Sequence, residues 1–107
     1  MRQLSAIELS KLLESPPAER PVMLDVREPW EWALAKIDGA TLLPMQQIPG
    51  RIQEIDSAHP TVVICHHGMR SLQVVAYLQQ HGFDNLHNLQ GGIDAWSRTV
   101  DRSVPTY

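Results

Sequence analysis

The stretch TVVICHHGMRSLQVVAYLQQHG, residues 61–82, decides the fold class. Behind His59-Pro60 its first five residues, Thr61 and the apolar run Val62 to Cys65, have the pattern of a strand buried on both faces. From Ser71 to His81 the pattern is helical, with Gly82 as the stop. A strand therefore runs through the short loop CHHGMRS into a helix, and the rest of the chain repeats that order. VMLDV, residues 22–26, is a second buried strand, set between Pro21 and the charged Arg27 and Glu28. Shorter strands are expected near 41–43 and 86–89. Helices are expected over 29–35, with proline in the first turn, and over roughly 48–55. Ser5 and Glu8 have the spacing of a capping box ahead of Ile7, Leu9, Leu12 and Leu13, which predicts a first helix ending before Pro16. Alternation of strands and helices argues for an α/β domain with a mostly parallel sheet, whose ligand site lies beyond the carboxyl ends of its strands. Cys65 closes its strand and so stands at such an end.

The chain has 107 residues, 43% of them apolar and 20% charged, the size of one globular domain with a buried core. No apolar run approaches the roughly 18 to 20 residues needed to cross a bilayer, and the amphipathic start MRQLSAIELSKLLE has no signal-peptide core. A soluble, cytoplasmic protein without a membrane partner is expected. The net charge of −3, without clusters of Lys or Arg, leaves no basic footprint for nucleic acid. Residues 14–21, ESPPAERP, form a loop, and 100–107, VDRSVPTY, lack apolar periodicity and favour an extended tail. A single cysteine cannot form an internal disulfide, so Cys65 is either a small buried hydrophobe or a free thiol with chemistry to do.

The loop supports the second alternative. A thiol at a strand-to-helix turn meets converging backbone N–H groups and the positive end of the helix dipole, both of which stabilise an anion. A free thiol ionises near pH 8.5, whereas cysteines in such places fall to roughly 3.5 to 7.5. Cys65 is therefore expected to be largely thiolate. Gly68 allows positive φ or close approach of a ligand. Arg70 can offer a planar fork to an oxyanion, and Ser71 is placed to cap the helix. Taken singly, each residue has a structural reading: a buried strand-end cysteine, a turn glycine, a solvated arginine. Together, within seven residues and directly before a helix, they point to an activated thiol.

CHHGMRS resembles the active-site loop of single-domain rhodanese-like sulfurtransferases. LDVREPWEW, residues 24–32, is similar to that family's Asp-Val-Arg segment with its downstream Glu. KIDGA, residues 36–40, is similar to its Gly-His-Ile-Pro-Gly-Ala segment, and NLQGGIDAW, residues 88–96, to its Gly-Gly…Trp signature. The resemblance spans roughly residues 4–100. It implies a three-layer α/β domain in which Cys65 forms a persulfide and His66, His67, Gly68, Met69 and Arg70 surround its sulfur and bind substrate. It also implies that Arg27 faces the site, against an alternative ion pair with Asp25, Glu28 or Glu31. Glu31 looks architectural, as do Asp25 and Ser71; Gly91 and Gly92 read as a tight turn and Trp96 as core. Ala35, Lys36 and Asp38 depart from the family's Gly, His and Pro, which weakens what can be carried over to that loop. His66 and His67 vary among relatives and reveal no donor. Two adjacent histidines with one cysteine do not make the spaced set of a zinc site, so neither metal nor cofactor is implied.

Three functions follow. The first is two-step sulfur transfer, in which Cys65 takes sulfur from a small donor such as thiosulfate and passes it to cyanide or a thiol, with no separate general base if the thiolate is preformed. The second is a cysteine phosphatase or arsenate reductase; cysteine phosphatases place five residues between Cys and Arg, whereas here four intervene, His66 to Met69. The third is a sulfur-carrier or regulatory module serving a dedicated protein partner.

Overall fold

In the computed structural model, which describes residues 2–107, five parallel strands form one sheet. They are β1 (Arg2–Leu4), β2 (Val22–Asp25), β3 (Thr41–Leu42), β4 (Thr61–Ile64) and β5 (Leu86–Leu89), in the order β1-β5-β4-β2-β3. The central pair β2 and β4 is registered from Val22 opposite Thr61 to Asp25 opposite Ile64. Helices α1 (Ala6–Leu12), α2 (Pro29–Leu34), α3 (Ile48–Arg51), α4 (Met69–Gln80) and α5 (Gly92–Thr99) complete the chain. Successive strand side chains point to opposite faces, and β4 separates two cores on that rule. Val62 and Ile64 pack with Leu9 of α1 and Ile93 and Trp96 of α5. Val63 and Cys65 pack with Ile48 of α3 and Val74, Val75 and Leu78 of α4. Helix, sheet and helix make the three expected layers.

The local chemistry follows the expected signals. Ser5 Oγ accepts from Glu8 N–H at 3.0 Å while the Glu8 carboxylate accepts from Ser5 N–H at 2.9 Å, closing the capping box of α1. Pro29 opens α2, where Glu31 Oε1 accepts from Glu28 N–H at 2.9 Å. The helix expected over 48–55 is shorter, tightening after Arg51 into a 3-10 turn over Ile52–Glu54. Two elements were not expected. The edge strand β1 buries only Leu4 of its three residues, and α5 begins at Gly92 with Gly91 as its N-cap, the two glycines forming the anticipated turn with φ values of 61° and 76°. Trp96 is core, as read.

The C-terminal segment, expected as an extended tail, packs on the domain: Asp101 Oδ1 accepts from the backbone N–H and hydroxyl of Ser103, Val104 is buried in the core shared with α1 and α5, and Tyr107 bonds Glu31 beyond the carboxyl end of β2.

Candidate active site

The chain leaves β2 toward β3 on one side and leaves β4 toward β5 on the other, so the carboxyl ends of β2 and β4 flank the crevice that such a reversal creates. Arg27 and Glu31 follow β2 there, and Cys65 to Ser71 follow β4. The residues singled out in sequence thus gather at one end of the sheet.

Cys65 is 1% exposed, with its sulfur turned toward its own loop. Gly68 N–H donates to Sγ at 3.0 Å, and Ser71 Oγ lies 3.2 Å away. Gly68 has φ 95° and serves as the N-cap of α4, and a Cβ on it would press at 3.2 Å on Gly91 N and Leu89 O. Ser71 therefore does not cap the helix. α4 starts two residues earlier than expected, which puts Ser71 inside the first turn with its hydroxyl directed at Cys65 and at Asn88 Oδ1. The other carbonyls of the loop are held from behind: Ile93 N–H donates to Cys65 O at 2.9 Å and Asp94 N–H to His66 O at 3.1 Å. These are first-turn donors of α5 that would otherwise lack partners. Gly92 makes the approach possible, since a Cβ there would collide with the carbonyls of Cys65 and His66.

Arg70 does not present its fork to the crevice. Its two terminal nitrogens grip Glu31 at 2.7 and 2.8 Å, in the bidentate geometry that makes arginine–carboxylate pairs strong. Glu31 is nearly buried and also accepts from Glu28 N–H and from the Tyr107 hydroxyl at 2.6 Å. The Arg70 bond, with those of Tyr107 and the Glu28 backbone, holds its carboxyl down at about 2 against the cost of burial. Glu31 in turn raises the pKa of Arg70 further. Arg70 is thus a fixed cation whose charge is felt at Cys65, oriented by Glu31 across 39 residues of sequence. Tyr107, pushed up to about 12 chiefly by burial, remains a neutral donor.

Arg27 departs from the expected position facing the site: its side chain is 0% exposed and fully engaged within the fold. Nε and one terminal nitrogen bind Asp25 at 2.8 to 3.1 Å, and the same terminal nitrogen reaches Ala35 O at 2.6 Å. The other donates to Tyr107 Oη at 2.8 Å and Glu31 O at 3.4 Å. Of the expected ion-pair partners, Asp25 is the one it takes. Burial opposes the charge of Arg27, and the bonds to Asp25 and Tyr107 outweigh it.

The remaining loop residues form the rim. His66 stacks on Tyr107, with ring centroids 3.9 Å apart and planes 5° from parallel. Burial and the neighbouring His67 lower its pKa. His67 and Met69 are exposed. Asp94 adds something the sequence spacing did not suggest: its carboxylate and the rings of His66 and His67 offer ligand atoms within 4.8 Å of one another. Asp94 already pairs with Arg98 at 3.0 Å, and that bond lowers its pKa.

Sequence reasoning missed Asn88, Gly92 and Tyr107 as site components. A short polar residue between Leu86 and Leu89 of β5, fully buried where its neighbour His87 is only partly so, marks Asn88. No local signal marks Tyr107, which arrives from 76 residues beyond Glu31.

The family model of the rhodanese-like domain matches residues 5–99, and the chain belongs to that family. It is 34% identical over 112 residues to "Rhodanese-like/PpiC domain-containing protein 12, chloroplastic" of Arabidopsis thaliana, covering 100% of this chain but only 38% of that protein's length. It is 38% identical over 82 residues to "Thiosulfate sulfurtransferase GlpE" of Pseudomonas entomophila, which covers 77% of this chain and 75% of the relative. Among solved structures, a rhodanese-like domain protein from Staphylococcus aureus superposes with a TM-score of 0.82 at 34% identity, covering 100% of this chain and 99% of the other. The fold is that of the family, and its relatives include sulfurtransferases. Among the described residues, no helix is long and apolar enough to cross a membrane.

Proposed function

We propose that this protein is a sulfurtransferase that carries a sulfane sulfur as a persulfide on Cys65. The observation that carries this reading is the setting of Sγ, which accepts a backbone N–H from Gly68 and lies beside the Ser71 hydroxyl and the fixed cation of Arg70. In the first step the Cys65 thiolate attacks the outer sulfur of a donor such as thiosulfate. The donor's S–S bond breaks, sulfite leaves with the electron pair, and the negative charge resides on the new terminal sulfur. In the second step cyanide, a thiol or a protein acceptor attacks that sulfur and returns the thiolate. Gly68, Arg70 and the amino end of α4 stabilise the charge in both steps. Arg27 supports the site from within the scaffold rather than by touching the donor.

A phosphatase reading is weaker, because the arginine fork that would clasp a phosphate is already closed on Glu31. A dedicated protein acceptor has one specific observation in its favour: Trp30 and Met69, beside the site, are large apolar side chains left 61% and 70% exposed. Steady-state assay with thiosulfate and cyanide, beside a phosphate ester, tests the reading. Thiocyanate should form and the ester should remain intact. Hydrolysis of the ester without thiocyanate formation would overturn it.

A further inference from the structure

Asn88 stands in the middle of β5, 2% exposed, and bonds both residues that contact the sulfur of Cys65. Its Nδ2 lies 3.2 Å from Gly68 O and 3.0 Å from Gln3 Oε1. A backbone carbonyl can only accept, so the atom facing Gly68 is the amide NH2 and the atom facing Ser71 is the carbonyl Oδ1. Oδ1 can only accept as well. The short contact between Ser71 Oγ and Asn88 Oδ1 is therefore made with the hydroxyl proton of Ser71.

Ser71 has one such proton. While Asn88 holds it, the 3.2 Å contact between Ser71 Oγ and Cys65 Sγ needs its proton from the sulfur, which makes Cys65 a thiol donating to serine. Ionising the sulfur reverses the arrangement. The thiol proton goes to solvent, the Ser71 hydroxyl turns to Sγ, and Asn88 Oδ1 is left without a donor among the described residues, a condition that costs free energy. The Gly68 N–H bond suits either form.

We propose that Asn88 is a positioning residue that sets how readily Cys65 ionises, because its side-chain carbonyl competes with the sulfur for the single hydroxyl proton of Ser71. The role deepens the sulfurtransferase reading and rests on it for its purpose. Once sulfur is loaded, the inner sulfur carries neither a proton nor the charge, which has moved to the terminal sulfur. Ser71 can then return its proton to Asn88. The competition thus penalises the free thiolate and spares the persulfide, favouring the loaded form.

The test is the pH dependence of iodoacetamide alkylation at Cys65, the only thiol in the chain, in four proteins: the unaltered chain, Asn88→Ala, Ser71→Ala and the double variant. Asn88→Ala should move the midpoint of the profile down by about half to one pH unit, the loss of one competing hydrogen bond of ~0.7–1.4 kcal/mol at 1.36 kcal/mol per unit. In the Ser71→Ala background the same change should move it by less than about 0.2 unit, because the competition runs through the missing hydroxyl. A midpoint that rises or stays put in Asn88→Ala, or that shifts equally in both backgrounds, would overturn the proposal. Should Asn88→Ala not fold, the infrared S–H stretch of the unaltered chain, taken below its alkylation midpoint, serves instead. It should lie at lower frequency than in Ser71→Ala, and identical bands would overturn the proposal. Alkylation needs no sulfur donor, so a protein that behaves as stated yet takes no sulfur from thiosulfate supports the role of Asn88 and refutes the transfer reading alone.

Discussion

Two arginine–carboxylate pairs lie at the carboxyl end of the sheet, and their difference separates scaffold from site. Arg27 and Asp25 are both closed off from solvent, at 0% and 1% side-chain exposure, and every contact they make is internal. Arg70 and Glu31 are unequal: the Glu31 side chain is 3% exposed while that of Arg70 keeps 35% of its surface open. The Tyr107 hydroxyl joins them, accepting from Arg27 and donating to Glu31. Similar charge chemistry therefore serves two ends. In the first pair it ties α2 and the segment ending at Ala35 to β2; in the second it fixes a cation at the rim of the loop that holds Cys65.

The largest effect that can break this contrast is Arg27→Ala. It leaves Asp25 buried without its partner, which should cost about 3–5 kcal/mol of stability in urea unfolding. The folded fraction should still load sulfur at Cys65. A stable variant that has lost only its use of thiosulfate would return Arg27 to the substrate site.

Next comes the acid side of Glu31. Its folded pKa of about 2 lies below the reference 4.5, so its stabilising contribution is complete above pH ~4.5 and is lost as pH falls from there through about 2. The shift corresponds to roughly 3 kcal/mol at 1.36 kcal/mol per unit. Unfolding measured from pH 6 to pH 2 should show the gap between the unaltered chain and Glu31→Gln close over that window; a constant gap would contradict the pairing.

A smaller loss is expected for Arg70→Ala, where removing the nearby opposite charge should slow both alkylation and thiosulfate turnover by about tenfold, the effect of roughly one pH unit on the thiol. Unchanged alkylation would remove Arg70 from the thiol's surroundings. The smallest change, Tyr107→Phe, keeps the ring stacked on His66 but deletes the hydroxyl that bridges the pairs. Stability should fall by about 1 kcal/mol, and a neutral result would mean the two pairs are independent.

The same contrast explains what could be read from the chain. Strands β2 and β4, the capping box at Ser5 and Glu8, and the loop from Cys65 to Arg70 were legible because their determinants are neighbours in sequence. β1 was not, since Arg2 and Gln3 are exposed and three residues carry no period. The direction of the two arginines was also hidden. Arg70 turns to Glu31 across 39 residues, and Arg27 is enclosed by Asp25, Ala35 and Tyr107, partners that only the folded topology brings together. Ser71 reads as a cap in sequence because Gly68, having no side chain to signal that role, takes the position first through its positive φ. Asn88 came within reach of Ser71 through the parallel sheet, 17 residues away.

The central claim, that Cys65 is where sulfur resides, is tested most directly by intact mass after incubation with thiosulfate. The protein should become heavier by one sulfur atom, cyanide should restore the original mass, and Cys65→Ser should show neither change. Sulfur loading that persists in Cys65→Ser, or an unaltered chain whose mass never rises, would contradict the account.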